Sequence, residues 1–202
     1  MLSSRLSKKI VTFLIESNII TAKEQDAYLF CFMYIIDMLL YISISLFVGF
    51  FVHHVFYTFL LLCIIIPFRM FAGGIHAPNA TICYFLSYGL TIFMIVFLPI
   101  IANKLSGFAF PLLLIECFCI FLFAPVESPN KPLSPTHKQD LKRKSRFFVS
   151  FYIMSYFLFF LFHQPQYYNY LPFCGIIPTV SVLLGTFTNG GKHDVAKNRN
   201  LR

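Results

Sequence analysis

The chain has 202 residues, of which 58% are apolar, 19% aromatic and only 12% charged, with a formal net charge of +8. A water-soluble domain of this length leaves roughly 30% of its unfolded-chain surface in contact with water, more than so few polar residues can cover. The composition excludes a soluble globular protein, a disordered chain, a collagen, a coiled coil and a secreted disulfide scaffold; an all-α polytopic integral membrane protein remains.

In chain order, residues 2–20 place Leu6, Ile10, Phe13 and Leu14 at helical spacing, with Arg5, Lys8, Lys9 and Glu16 elsewhere. That pattern predicts an amphipathic helix over 1–20, lying in the membrane surface. The apolar run Ile10 to Ile15 is too short for a secretory leader, so no segment is expected to be removed. Thr21 followed by Glu24 has the spacing of a capping box and predicts a helix start.

Apolar spans follow over 27–47, 50–68, 82–101, 108–124, 147–162 and 170–187, the fourth and fifth short for a ~30 Å hydrocarbon core. Six spans is the expected count. Four spans with re-entrant segments is the alternative, because Pro67, Gly73, Gly74, Pro78 and Pro99 allow broken helices. The expected organisation is a single membrane domain over 1–202, with a bundle over 27–187 and a basic tail over 188–202. The six cysteines lie mostly in apolar runs without paired spacing and are expected to be reduced.

Basic residues settle the expected orientation. Fifteen of the sixteen lie in the amino-terminal segment, the second connection, the loop before the fifth span or the tail, leaving Lys104 alone on the other side. Both termini and the second connection are therefore expected on the cytoplasmic face of a plasma membrane. Lys142, Arg143 and Lys144 belong to a basic cluster suited to anionic lipid headgroups. Basic residues interleaved with exposed aromatics, the pattern of nucleic-acid binding, are absent, so no nucleic-acid partner is expected.

The second connection differs from every other. Between Pro67 and Cys83 it combines Arg69, the pair Gly73 and Gly74, His76 and Cys83 at a membrane boundary. The glycines allow positive φ and close backbone approach, while Pro78, Asn79 and Thr81 are start signals for the third span. Cys83 then falls in the first helical turn, where amide dipoles and a neighbouring imidazolium favour the thiolate. Seven residues of continuous helix would separate His76 from Cys83 by ~10 Å, but a turn at Pro78 brings an imidazole within proton-transfer reach of the sulfur.

The spacing Arg-x4-Gly-x-His-x6-Cys, here Arg69, Gly74, His76 and Cys83, resembles that of the accessory gene regulator B family. The stretch Ala124-Pro-Val-Glu-Ser-Pro-Asn-Lys-Pro-Leu133 resembles a second segment of these proteins, so the likeness covers nearly the whole chain. The resemblance implies a membrane cysteine endopeptidase that cleaves the precursor of a cyclic autoinducing peptide. It further implies Cys83 and His76 as the catalytic pair, Arg69 and Gly74 as required support, and a homodimer. Neither a cofactor nor a metal is implied. Closure of a thiolactone by the peptide's own cysteine, and an acidic precursor tail for the basic surface to recruit, are likewise implied by the resemblance alone.

Other readings stay open. Asp37 and Glu116 lie inside spans, where a carboxylate is costly enough to be a functional candidate, and a small transporter using both is the alternative from another class. A scaffold that binds an acidic partner through its basic loop is a third. His53, His54, Cys117 and Cys119 lack the ligand set of a metal site and read as packing or interface residues.

Overall fold

A computed structural model describes residues 2–74, 80–126 and 134–199. The protein is an all-α polytopic membrane protein. The described residues form α1 (Leu2–Glu16), α2 (Gln25–Phe51), α3 (Val55–Phe71), α4 (Ala80–Lys104), α5 (Ala109–Phe123), α6 (Pro135–Leu161), α7 (Pro165–Cys174) and α8 (Ile176–Arg199). They fall into two compact units, Met1–Val48 and Gly49–Arg202.

In the first unit, Ser3, Ser7 and Val11 form a buried stripe on α1, with the Ser7 hydroxyl donating to the Ser3 carbonyl at 2.7 Å. Leu6 and Phe13 are exposed, so part of the apolar side expected to meet lipid is open. A turn with Asn18 at φ 55° ends α1. Glu24 then accepts from both the Thr21 amide at 3.0 Å and the Thr21 hydroxyl at 2.8 Å, which realises the predicted helix start. Asp37 lies half-buried in the middle of α2 and is engaged in an interaction.

Among the described residues, five helical segments are long and apolar enough to cross a bilayer: Ala22–Phe51, Tyr84–Lys104, Ser106–Phe123, Thr136–Leu161 and Pro165–Thr188. The sixth apolar segment, α3, has 17 residues, the lower end of what crosses ~30 Å of hydrocarbon. Span bounds differ from the expectation: the first and third spans run longer, over Gln25–Phe51 and Ala80–Lys104. The second is shortened because α2 runs on to Phe51 and a turn with His53 at φ 58° precedes α3. The fifth is lengthened by basic turns before Phe147, opened by the Ser134 hydroxyl accepting from the His137 amide and by Pro135 in the first turn. The last is divided at Gly175 into α7 and α8.

Helix α7 is the interior element of the second unit, packed against α3, α4, α5 and α6. Its last five residues, Tyr170 to Cys174, are all buried. Large side chains such as Phe85, Phe118, Leu161 and Phe187 are exposed, the arrangement expected where lipid replaces water and gives no reason to hide them. Glu116 of α5 is buried, and Tyr152 of α6 directs its hydroxyl at Glu116 Oε2 (2.9 Å) and at the Leu171 carbonyl (3.0 Å). Gly175 makes room for this junction: a β-carbon there would collide with the Glu116 carboxyl group.

Candidate active site

The distinctive connection begins in the last turn of α3. Arg69 donates from its guanidinium to the Ser87 hydroxyl of α4 at 2.9 Å, tying the end of α3 to the second turn of α4. Position 83 is the fourth residue of α4, one helical turn before Ser87 and on the same face. It lies where the amides of a helix start have no partners within the helix, so the field there favours an anion. The Cys83 side chain and the whole of His76 lie outside the described residues, as do Pro78, Asn79 and Lys131.

After α3 the chain turns through two glycines in conformations that L-residues rarely adopt, Gly73 at φ 74° and Gly74 at φ 140°. Here the two segments singled out by sequence meet. Gly73 pairs in parallel β fashion with Val126, whose amide donates to the Ala72 carbonyl at 2.9 Å. A β-carbon at Gly73 would lie 2.6 Å from the Val126 carbonyl oxygen, so only glycine lets the two segments approach this closely. The bond between Ala124 and Pro125 is cis.

The basic end of α6 flanks this turn. The Lys144 ammonium lies 6.0 Å from the Phe71 ring centre, and Phe71 stacks on Phe148 at 5.1 Å. Arg146 lies 4.4 Å over the Phe121 ring of α5. Lys142, Arg143 and Lys144 are exposed, and Lys144 also pairs with Asp140 at 2.7 Å. A cationic surface and aromatic faces therefore border the site from the side where α3 and α5 end.

The remaining candidates lie elsewhere. His54 Nδ1 is 3.1 Å from the Ile95 carbonyl, in the far half of the bundle, and no group of three or more His, Cys, Asp or Glu suited to a metal occurs among the described residues. Among the described residues, Cys31, Cys63, Cys117, Cys119 and Cys174 are not in disulfides. Sequence reasoning missed three residues at the site: Ser87, Ser181 and Gly185. Ser87 was legible as the position one turn after Cys83; nothing in the sequence ties α8 to the connection.

A sequence model of the family described as accessory gene regulator B matches residues 7–188. No curated protein and no solved structure matches the chain.

Proposed function

We propose, from the premise that this chain belongs to the accessory gene regulator B family and so takes part in autoinducing-peptide processing, that it is a cysteine endopeptidase. The observation that carries the reading is the meeting of the two motif-bearing segments, Gly73 against Val126, at the end of the helix whose Arg69 is bonded to Ser87, one turn beyond position 83. A turn so tightly held is what a nucleophile and its base need to keep a fixed separation.

In this reading the Cys83 thiolate attacks a backbone carbonyl of a short amphipathic precursor lying along the cytoplasmic face. A carbon–sulfur bond forms, the carbon–nitrogen bond breaks, and His76 passes the thiol proton to the departing amine. Amides of the glycine turn or of the first turn of α4 hold the oxyanion. The peptide's own cysteine then displaces Cys83 and closes a thiolactone. This exchange conserves the thioester, whereas forming the first from an amide is uphill, so removal of the tail or export of product must draw it forward. Lipid beside the site limits hydrolysis of the acyl-enzyme. Arg69 holds α3 to α4 through Ser87, and the Lys142–Lys144 surface recruits the precursor's acidic tail.

The test uses the full chain in liposomes with a synthetic precursor. Cys83→Ala and His76→Ala are each expected to lower cleavage by at least about 1,000-fold while the protein still inserts. Cleavage at the parent rate by either variant overturns the reading.

A further inference from the structure

The glycine turn has a third neighbour besides α3 and the Ala124–Val126 segment. Ser181 of α8 abuts Gly74: a β-carbon there would strike the Ser181 hydroxyl and lie 3.1 Å from its Cβ. One turn further along α8, a β-carbon on Gly185 would lie 2.8 Å from Val126 Cγ1 and 3.2 Å from the Gly74 carbonyl carbon. Ser181 and Gly185, four residues apart, share one face of the helix. That face touches both segments of the candidate site at once.

The two contacts differ in tolerance. Val126 Cγ1 is a side-chain atom that can rotate away or be removed. The Gly74 carbonyl carbon is backbone, in a turn already held by Gly73 pairing with Val126. Any side chain at 185 therefore pushes on the turn two residues before His76, and a displacement of ~1 Å at a catalytic constellation costs on the order of 100-fold in rate.

We propose that Ser181 and Gly185 of α8 are positioning residues for the reaction: their shared face is the floor on which the glycine turn and Val126 are seated, and it sets where the His76–Cys83 connection begins. The proposal deepens the peptidase reading and rests on it.

The test measures kcat and KM for precursor cleavage in liposomes with Gly185→Ala, Gly185→Val and Gly185→Ala combined with Val126→Ala. A second readout needs no turnover: the rate at which a soluble maleimide alkylates Cys83 in a background with the exposed Cys31 and Cys63 changed to Ser. Gly185→Ala is expected to lower kcat about tenfold with KM within about twofold of the parent, and to change the Cys83 alkylation rate by about threefold or more. Removing Cγ1 in the Gly185→Ala, Val126→Ala variant relieves the closer of the two contacts and is expected to recover part of both, because the β-carbon still meets the Gly74 backbone, whereas the bulk of Gly185→Val presses harder on that backbone and lowers kcat further. The seat is overturned if the double variant is no better than Gly185→Ala, or if Gly185→Val works at the parent rate. Should Gly185→Val fail to fold, the Gly185→Ala pair decides. Failure of the peptidase reading looks different: Cys83→Ala cleaves normally, and unchanged alkylation across the Gly185 series then sinks the seat on its own.

Discussion

The two ends of the helical unit over 49–202 are built on opposite principles. At the end where α3 starts and α6 finishes, large rings hold the chain: Tyr167 lies 4.7 Å from Phe56, 5.5 Å from Tyr57 and 5.4 Å from Phe159, and Tyr57 lies 4.9 Å from Tyr170. At the other end, where α3 finishes, the turn is held by close approach to glycine, at Gly73 against the Val126 backbone and at Gly74 against Ser181 of α8, within a rim of aromatic and basic side chains. Ring packing is area-driven and tolerates small shifts, each pair contributing ~0.5–1.5 kcal/mol. Backbone contact through glycine has no such slack. The rigid end is the one that carries the motif residues, which is where a reaction needs fixed distances.

That contrast is sharpest among the glycines themselves. Gly73→Ala puts a β-carbon against the Val126 carbonyl at a φ of 74°, costing about 1–3 kcal/mol in strain. It is expected to lower precursor cleavage on the order of 100-fold. Gly89→Ala in α4 meets nothing within 4 Å and is expected to leave cleavage within about twofold of the parent. Equal effects from the two substitutions would erase the distinction between a glycine needed for close approach and one that is merely present.

The basic flank tests whether the rigid end also recruits. Replacing Lys142, Arg143 and Lys144 together by Gln removes charges worth ~1 kcal/mol each toward an anionic surface or tail. KM for the precursor is expected to rise at least about tenfold at low salt, with kcat unchanged, and the difference is expected to shrink as salt screens it. Unchanged co-purification of the precursor refutes recruitment by this surface.

Much of this was readable in the sequence, for physical reasons that also explain the gaps. Helix identity followed from unbroken apolar runs, and the need for glycine at 73 and 74 followed from a Gly pair at a membrane boundary; both glycines have positive φ. The meeting of Gly73 with Val126 was not readable, since parallel pairing of two single residues leaves no periodic trace. Nor was the division at Gly175, because apolar patterning across 170–187 is continuous and the break serves a distant carboxyl group, Glu116. Ser181 and Gly185 escaped for a related reason. Small residues in a span read as ordinary helix packing, and only the partner's position gives them meaning.

Between the two ends lies the Glu116–Tyr152 junction, which belongs to neither. Tyr152→Phe removes the hydroxyl directed at Glu116 Oε2 and at the Leu171 carbonyl, and is expected to destabilise the protein by about 1–3 kcal/mol in detergent melts. Adding Glu116→Leu is expected to recover part of the loss, since removing both partners leaves fewer buried polar atoms without bonds. A larger loss in the double variant would mean that the carboxyl group has another partner whose bond matters more than Tyr152.

A small effect on cleavage is expected at the aromatic end. Tyr167→Leu keeps an apolar side chain but removes three ring contacts, and at ~0.5–1.5 kcal/mol per pair it should cost about 1.5–4.5 kcal/mol in the same melts. Cleavage should stay within about twofold of the parent, because the loosened rings lie at the start of α3 while the motif residues lie in its last turn and beyond, and rotamer adjustment among Phe56, Tyr57 and Phe159 absorbs the change locally. A kcat loss as large as that of Gly73→Ala would show strain passing along α3 from one end to the other. The helix would then act as a rod coupling both ends, and the flexible end would be part of the catalytic geometry.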